Sequence, residues 1–179
     1  TRHQQLDSVQ FDSQSNTLTI YLQNGGFKSV NLSSLNNQGK VFVDNNNKNV
    51  GVVTDITSTI TTGQFNTAVG TPTMLNITEG TGNSAFGDAS LINNNIGDAN
   101  SAFGRWSLGN NSSGSGNTAV GEDALKTNTT GDNNSAIGKN ADVALNNLSN
   151  ATAIGANAEV SQSNSLVLGN NVNVGIGTT

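Results

Sequence analysis

Residues 100–121 read Asn100-Ser101-Ala102-Phe103-Gly104-Arg105-Trp106-Ser107-Leu108-Gly109-Asn110-Asn111-Ser112-Ser113-Gly114-Ser115-Gly116-Asn117-Thr118-Ala119-Val120-Gly121. The opening pentad returns after 17 residues, with Thr for Ser and Val for Phe. Working outward, the same pentad is found at Asn83-Ser84-Ala85-Phe86-Gly87 and Asn66-Thr67-Ala68-Val69-Gly70 on one side. On the other side stand Asn134-Ser135-Ala136-Ile137-Gly138 and Ala151-Thr152-Ala153-Ile154-Gly155. The closing glycines fall at 70, 87, 104, 121, 138 and 155, and a second series at 63, 80, 97, 114 and 131 keeps the same spacing of 17. Leu91, Leu108 and Leu125 follow a closing glycine by four residues; Asn94, Asn111 and Asn128 follow by seven. A shorter copy, Ser165-Leu166-Val167-Leu168-Gly169, comes 14 residues after the last full one.

A 17-residue unit is too short for a helix pair or a propeller blade. Its alternating pentad and its glycines at turn positions suit one coil of a β-solenoid, with two short strands and two turns. Stacked coils rise about 4.8 Å each, so six rise roughly 30 Å. Side chains alternate along each strand. One face therefore carries the Ser/Thr column (67, 84, 101, 118, 135, 152) with Val69, Phe86, Phe103, Val120, Ile137 and Ile154. The other carries the asparagines at 66, 83, 100, 117 and 134, the six alanines and the closing glycines. The expectation is that the aliphatic column lies inside each coil and the alanines face a neighbouring copy. The asparagines should stack as an amide ladder. A coil with three or four apolar residues buries little by itself, which implies a homo-oligomer, with threefold symmetry best suited to a fibre.

Composition narrows the function classes. The 179 residues carry 7 Lys+Arg against 12 Asp+Glu, 11% charged residues, 31 Asn, 21 Gly and a single Pro. Leu, Ile, Val and Phe sum to 42, just above the range of disordered chains. Order in such a chain comes from repetition. No Cys is present, so there is no disulfide framework, thiolate zinc site or Cys nucleophile. His3 is the only His and lies near the terminus, which argues against a His-based triad or a multi-His metal site. The acidic balance gives no basic patch for nucleic acid. No apolar run approaches the ~18 residues of a membrane helix, so no membrane insertion by this segment is expected.

The first third does not repeat. Val9 and Phe11 alternate with polar residues, and Leu18, Ile20 and Leu22 alternate with Thr17, Thr19 and Tyr21. Asn24-Gly25-Gly26 then leads into Phe27-Lys28-Ser29-Val30-Asn31-Leu32, which predicts a β-hairpin. One hairpin is marginal alone, so three chains would pool theirs in a β-prism-like arrangement. Residues 1–38 form this hairpin region, 39–62 a connector with a short strand at Lys40–Val43, 63–169 the repeats, and 170–179 an exit segment. Val50-Gly51-Val52-Val53-Thr54 looks like a degraded copy of Val174-Gly175-Ile176-Gly177-Thr178, as though it closed a preceding module.

The N-[ST]-A-[VFI]-G pentads with their G-x-x-x-L continuation resemble the head repeats of YadA-like trimeric autotransporter adhesins. Their 17-residue spacing is also similar to head-like repeats of bacterial and phage tail fibres, found upstream of peptidase S74 chaperone domains. The ending Asn173-Val174-Gly175-Ile176-Gly177-Thr178-Thr179 is similar to the exit segment of such fibres. The resemblance covers residues 63 to 179. It implies a left-handed parallel β-roll, three intertwined chains, and adhesion outside the cell, at a cell surface or on a virion-like fibre. No neck motif, coiled-coil stalk, membrane anchor or chaperone domain is seen within the 179 residues.

The residues that invite chemistry are few. Trp106, flanked by Arg105, follows a closing glycine by two, where other coils place Pro72, Ala89, Asp123, Asn140 and Asn157. It either stacks on a sugar ring or packs on a neighbouring chain or coil. Asp98 and Asp132 share one turn position two coils apart. With Asn133, Glu122 and Asp123 they are either Ca²⁺ ligands or solvated turn carboxylates, and no loop has an EF-hand or G-G-x-G-x-D pattern. Asp12, Asp44 and Glu79 show no acid/base spacing. Ice binding needs exposed Thr-x-Thr ranks; here each hydroxyl is paired with Val, Phe or Ile, which places that face inward. The expected protein is therefore all-β, without catalytic residues, metal or cofactor. It is a homotrimeric fibre segment that binds a host or prey cell-surface glycan or protein through its outer turns. The alternatives are a structural spacer presenting another receptor-binding domain and, more remotely, a polysaccharide depolymerase with a site between chains.

Overall fold

The computed structural model describes residues 6–12, 17–22, 27–31, 40–44 and 49–53 as strands, and the continuous stretch 62–170. Two compact units divide at residue 40/41. In the first, β1 (Leu6–Asp12), β2 (Thr17–Leu22) and β3 (Phe27–Asn31) form an antiparallel sheet in sequence order. Tyr21 pairs with Phe27 across the expected hairpin, and Val9 pairs with Ile20. The turn at 23–26 and His3 lie outside the described residues.

The second unit is a β-solenoid of about six turns, and no helix occurs among the described residues. Its main sheet has nine strands: β4 (Lys40–Asp44), β5 (Asn49–Val53), β6 (Thr67–Val69), β7 (Ser84–Phe86), β8 (Ser101–Phe103), β9 (Thr118–Val120), β10 (Ser135–Ile137), β12 (Thr152–Ile154) and β14 (Leu166–Leu168). From β5 to β14 each strand lies parallel to the next. Ala85 pairs with Ala102, and Ala102 with Ala119, so residues 17 apart in sequence sit side by side. The sheet reaches back into the stretch read as a connector. Val50 pairs with Thr67 and Gly51 with Ala68, which makes Asn49–Val53 a rung of the parallel array.

The interior corrects one expectation. The alanines, not the aliphatic residues, point inward: Ala85, Ala102, Ala119 and Ala136 are 0% exposed, whereas Phe103 is 41% and Ile137 47% exposed. The reason is volume. Leu91, Leu108 and Leu125 already fill the lumen from the far side of each coil, beside the buried asparagine columns, and only a methyl group fits opposite them. The hydroxyl column is consequently half-exposed on the outward face instead of facing in. The inward leucines hold left-handed backbone conformations, with φ near +50° at Leu91, Leu108 and Leu125. Such a conformation costs about 1–3 kcal/mol for a non-glycine residue. Full burial of a leucine side chain stabilises by about 1.5–3 kcal/mol, so packing and local preference nearly balance, and repetition in every coil settles the geometry.

Where the repeat loosens after Gly138, a second pair of strands appears. β11 (Asp142–Val143) and β13 (Glu159–Val160) run parallel, with Val143 and Val160 buried and Asp142 beside Glu159. Burial pushes the Asp142 carboxyl above the ordinary range and the Glu159 charge adds to this, against hydrogen bonds from Thr127 and the Val143 N–H that lower it. A carboxyl raised in the folded state keeps its proton longer than in the unfolded chain. Its contribution to stability therefore falls as pH rises from about 3.9 toward the raised value. Asp142→Asn is expected to raise the melting temperature near pH 7 and to leave it unchanged below about pH 3, where the carboxyl is neutral in both states. Melting curves of the two proteins across that range check the sign.

Candidate functional site

Three sets of side chains recur at fixed positions around the coil: one buried ladder and one exposed ladder that join the coils, and one exposed apolar face. The first ladder is the expected amide column. Asn100 Oδ1 accepts from the backbone N–H of Asn117 at 3.0 Å and from Asn117 Nδ2 at 3.1 Å. Asn49, Asn66, Asn83, Asn117 and Asn134 each accept the backbone N–H of the following coil in the same way. The Nδ2 group of Asn100 donates to the Gly114 carbonyl at 2.8 Å, and Asn111 Nδ2 donates to the same oxygen at 2.8 Å. Gly97 and Gly131 repeat this double acceptance. Both lone pairs of a buried carbonyl are thus occupied at the inner corner of the coil.

The second ladder was missed in the sequence. Thr81 Oγ1 accepts from Gln64 N–H, Asp98 Oδ1 from Thr81 N–H, Ser115 Oγ from Asp98 N–H, Asp132 Oδ1 from Ser115 N–H, and Ser149 Oγ from Asp132 N–H. Asp98 and Asp132 therefore act as staples between adjacent coils. Asn133, next to Asp132, holds a left-handed backbone conformation, and Glu122 and Asp123 lie in a different cluster, described below. The five candidates do not converge, and no group of three or more His, Cys, Asp or Glu poised for a metal ion occurs among the described residues. The signal was legible: hydroxyl and acid alternate at 81, 98, 115, 132 and 149. The two ladders have opposite sense. Asparagine side chains accept from the following coil, and the hydroxyl/acid side chains accept from the preceding one.

The exposed face is the outward side of the nine-stranded sheet. Val69, Phe86, Phe103, Val120, Ile137, Ile154 and Leu168 stand in one line along it, all but Val69 substantially exposed. The Phe86 and Phe103 rings stack with centroids 5.0 Å apart and an interplanar angle of 5°. Leu166 adds a further exposed side chain at the last strand. An unbroken apolar line of this length is unusual on a solvated surface.

Just beyond the closing glycines runs a column of alternating charge: Asp88, Arg105, Glu122, Lys139. Glu122 is bound by the Arg105 guanidinium through Nη2 and Oε1, and by Lys139 Nζ at 3.0 Å. The Arg105 hydrogen bond, followed by that from Lys139, holds the Glu122 carboxyl below its usual range, and Glu122 in turn raises the Arg105 guanidinium. Trp106 is half-buried and left-handed at φ +58°. Lys126 Nζ sits 5.5 Å from its ring centroid and also 3.0 Å from Asp123 Oδ1. That buried oxygen takes no hydrogen bond of good geometry, and the ammonium is its ion-pair partner. The structure thus brings Arg105 and Trp106 together with Glu122, Asp123, Lys126 and Lys139.

Against protein-family models, curated proteins and solved structures the chain finds no match in any of the three. The functional reading rests on the chain's own surfaces. No described helix is long and apolar enough to cross a membrane.

Proposed function

We propose that the solenoid is a segment of an extracellular homotrimeric fibre, a left-handed roll in which three copies pack through the apolar line, and that the fibre attaches to cell-surface glycans through its outer turns. The observation that carries this reading is the line of seven large apolar side chains from Val69 to Leu168 on one face of the sheet. Burying such a line gains roughly 25 cal/mol per Å² of apolar surface, and a straight parallel stripe is matched by copies of itself. Attachment is multivalent: three identical weak sites at a tip act together and raise avidity without a strong single site. Few charges and many amides suit polar, carbohydrate-like ligands. Binding, without turnover, is the activity proposed.

Light scattering on a sizing column tests the assembly. The expected mass is three times the 18.3 kDa of one chain. Phe103→Lys places a charge in the middle of the line and is expected to give monomers with unchanged β-sheet circular dichroism, because Phe103 supports no contact in the lumen. A wild-type protein that elutes as a stable monomer overturns the trimer. Binding of the isolated trimer to cells separates an adhesin, which binds, from a spacer, which does not.

A further inference from the structure

The stretch 62–170 carries three cations, Arg105, Lys126 and Lys139, against eight carboxylates. All three belong to one cluster: Lys126 lies over the ring of the protein's single tryptophan, Arg105 precedes it in the chain, and Lys139 shares Glu122 with Arg105. Glu122 and Asp123 stand among these cations and pair with all three, so the cluster is one in which the cations already hold carboxylate oxygens; two further features set Trp106 apart. Trp106 occupies a left-handed position that other coils fill with Ala89, Asp123, Asn140 and Asn157. Asparagine and aspartate tolerate that conformation; the coil imposes it at this turn, and Trp106 is the one aromatic among these five positions. The surrounding sequence also makes room for the ring. Gly109 stands where other coils carry Leu75, Ile92, Lys126 and Val143, and a Cβ at Gly109 would lie 2.5 Å from Trp106 Cε3. The ring is seated against bare backbone on one side, and the ammonium of Lys126 lies over it.

We propose that Trp106, Arg105 and Lys126 form a binding site for a carboxylated saccharide, a proposal that rests on the glycan-binding reading above and names its ligand class. The apolar C–H face of a sugar ring replaces the ammonium on the electron-rich indole face, whose quadrupole attracts positively polarised groups. The displaced Lys126 and the exposed guanidinium of Arg105 receive the sugar carboxylate, for which a planar guanidinium offers a bidentate fork. Lys139 holds the other oxygen of Glu122 and keeps that carboxylate paired when Arg105 turns to the ligand. A neutral sugar supplies no carboxylate for the displaced cations. An acidic peptide supplies the charge and no flat C–H face for the indole.

Trp106 is the only tryptophan, so its fluorescence reports this site alone. The full chain is titrated with a galacturonate oligosaccharide, a neutral galactose oligosaccharide and poly-glutamate at one ionic strength, and its mass is taken by light scattering on the same sample. The expected result is a saturable emission change with the galacturonate oligosaccharide at about 1 mM or below. The other two probes are expected to leave the emission unchanged, and Arg105→Gln and Lys126→Gln each to weaken the response at least about fivefold. Lys126→Arg, which keeps the charge, should retain it. No saturable change up to about 10 mM overturns the site, as does an equal response to the neutral sugar or to poly-glutamate. A trimer without a response removes this inference and leaves the assembly intact; a responding monomer does the reverse.

Discussion

Gly104→Ala is expected to be the most damaging single change, removing about 2–6 kcal/mol by strain and overpacking and uncoupling the two halves of the solenoid. Gly104 has φ +134°, a region that side-chain-bearing residues rarely enter, and a Cβ there would stand 2.5 Å from the Gly121 carbonyl oxygen and 2.6 Å from its carbon. The obstructing atoms are backbone in the next coil, and that coil is fixed by the Gly121 N–H bond to the Phe103 carbonyl at 2.8 Å. Relief therefore requires the coils to separate. Conformational strain costs about 1–3 kcal/mol and overpacking about another 1–3 kcal/mol, against a total stability of about 5–15 kcal/mol for a domain. Because each coil touches only its neighbours, a break in the middle also uncouples the two halves. Gly155→Ala gives the contrast. It sits near the end of the array, and its nearest obstruction is the Gly169 Cα at 3.0 Å. Its melting temperature is expected to fall by much less. Thermal melts of the two variants decide the matter; equal losses would refute the coil-to-coil contact as the cause.

Asn100→Ala is expected to be the second most damaging single change, costing about 3–6 kcal/mol. The amide is fully buried and takes part in four hydrogen bonds: to Asn83 Oδ1, to the Gly114 carbonyl, and from both the backbone and the side chain of Asn117. Truncation strips partners from the Asn117 N–H and Nδ2, the Asn83 Oδ1 and one lone pair of Gly114, and each buried unsatisfied group costs about 1–3 kcal/mol, with partial relaxation between them. Asn100→Asp keeps the shape but loses the donor and buries a charge facing the Gly114 carbonyl. It should be no better than alanine at neutral pH. Ser101→Ala, one residue on and half-exposed, serves as the control and should cost under about 0.5 kcal/mol. Denaturant unfolding of the three variants ranks them, and a near-neutral Asn100→Ala would show that the ladder does not hold the coils.

Spacing made the architecture legible. Glycines at one period and asparagines at the same period specify stacked coils, because only a strict period lets identical groups meet along an axis. Which face turned inward was not legible, because alternation by two is symmetric between faces. Ala102 was small for the reason first given, close approach, but the approach is to Leu108 and the asparagines of its own lumen and not to another chain. The better guide was already present: Leu91, Leu108 and Leu125 together with two asparagine columns leave no volume for Phe103 inside. Asn49 was overlooked because Gly51 and Val53 replace the usual alanine and glycine of the pentad, although Asn49 stands 17 residues before Asn66 and accepts its N–H at 2.8 Å. Of the candidate site, the pairing of Arg105 with Trp106 was visible as sequence neighbours. Lys126 and Glu122 were not, since they arrive from the next coil.

The opposed sense of the two ladders makes the molecule a ruler. Every interior coil presents an acceptor forward and another backward, so whole units of 17 residues close on one another through both ladders, whereas the last unit of 14 is held by the hydroxyl ladder alone, where Ser163 Oγ accepts the Ser149 N–H. The forward set stops where Asn134 accepts the N–H of Ala151, because Ala151 offers no side-chain acceptor in return. That one alanine marks the end of the scale. Length along the axis is therefore quantised in steps of about 4.8 Å, and duplication or loss of whole units changes the length of the solenoid without redesigning a single contact.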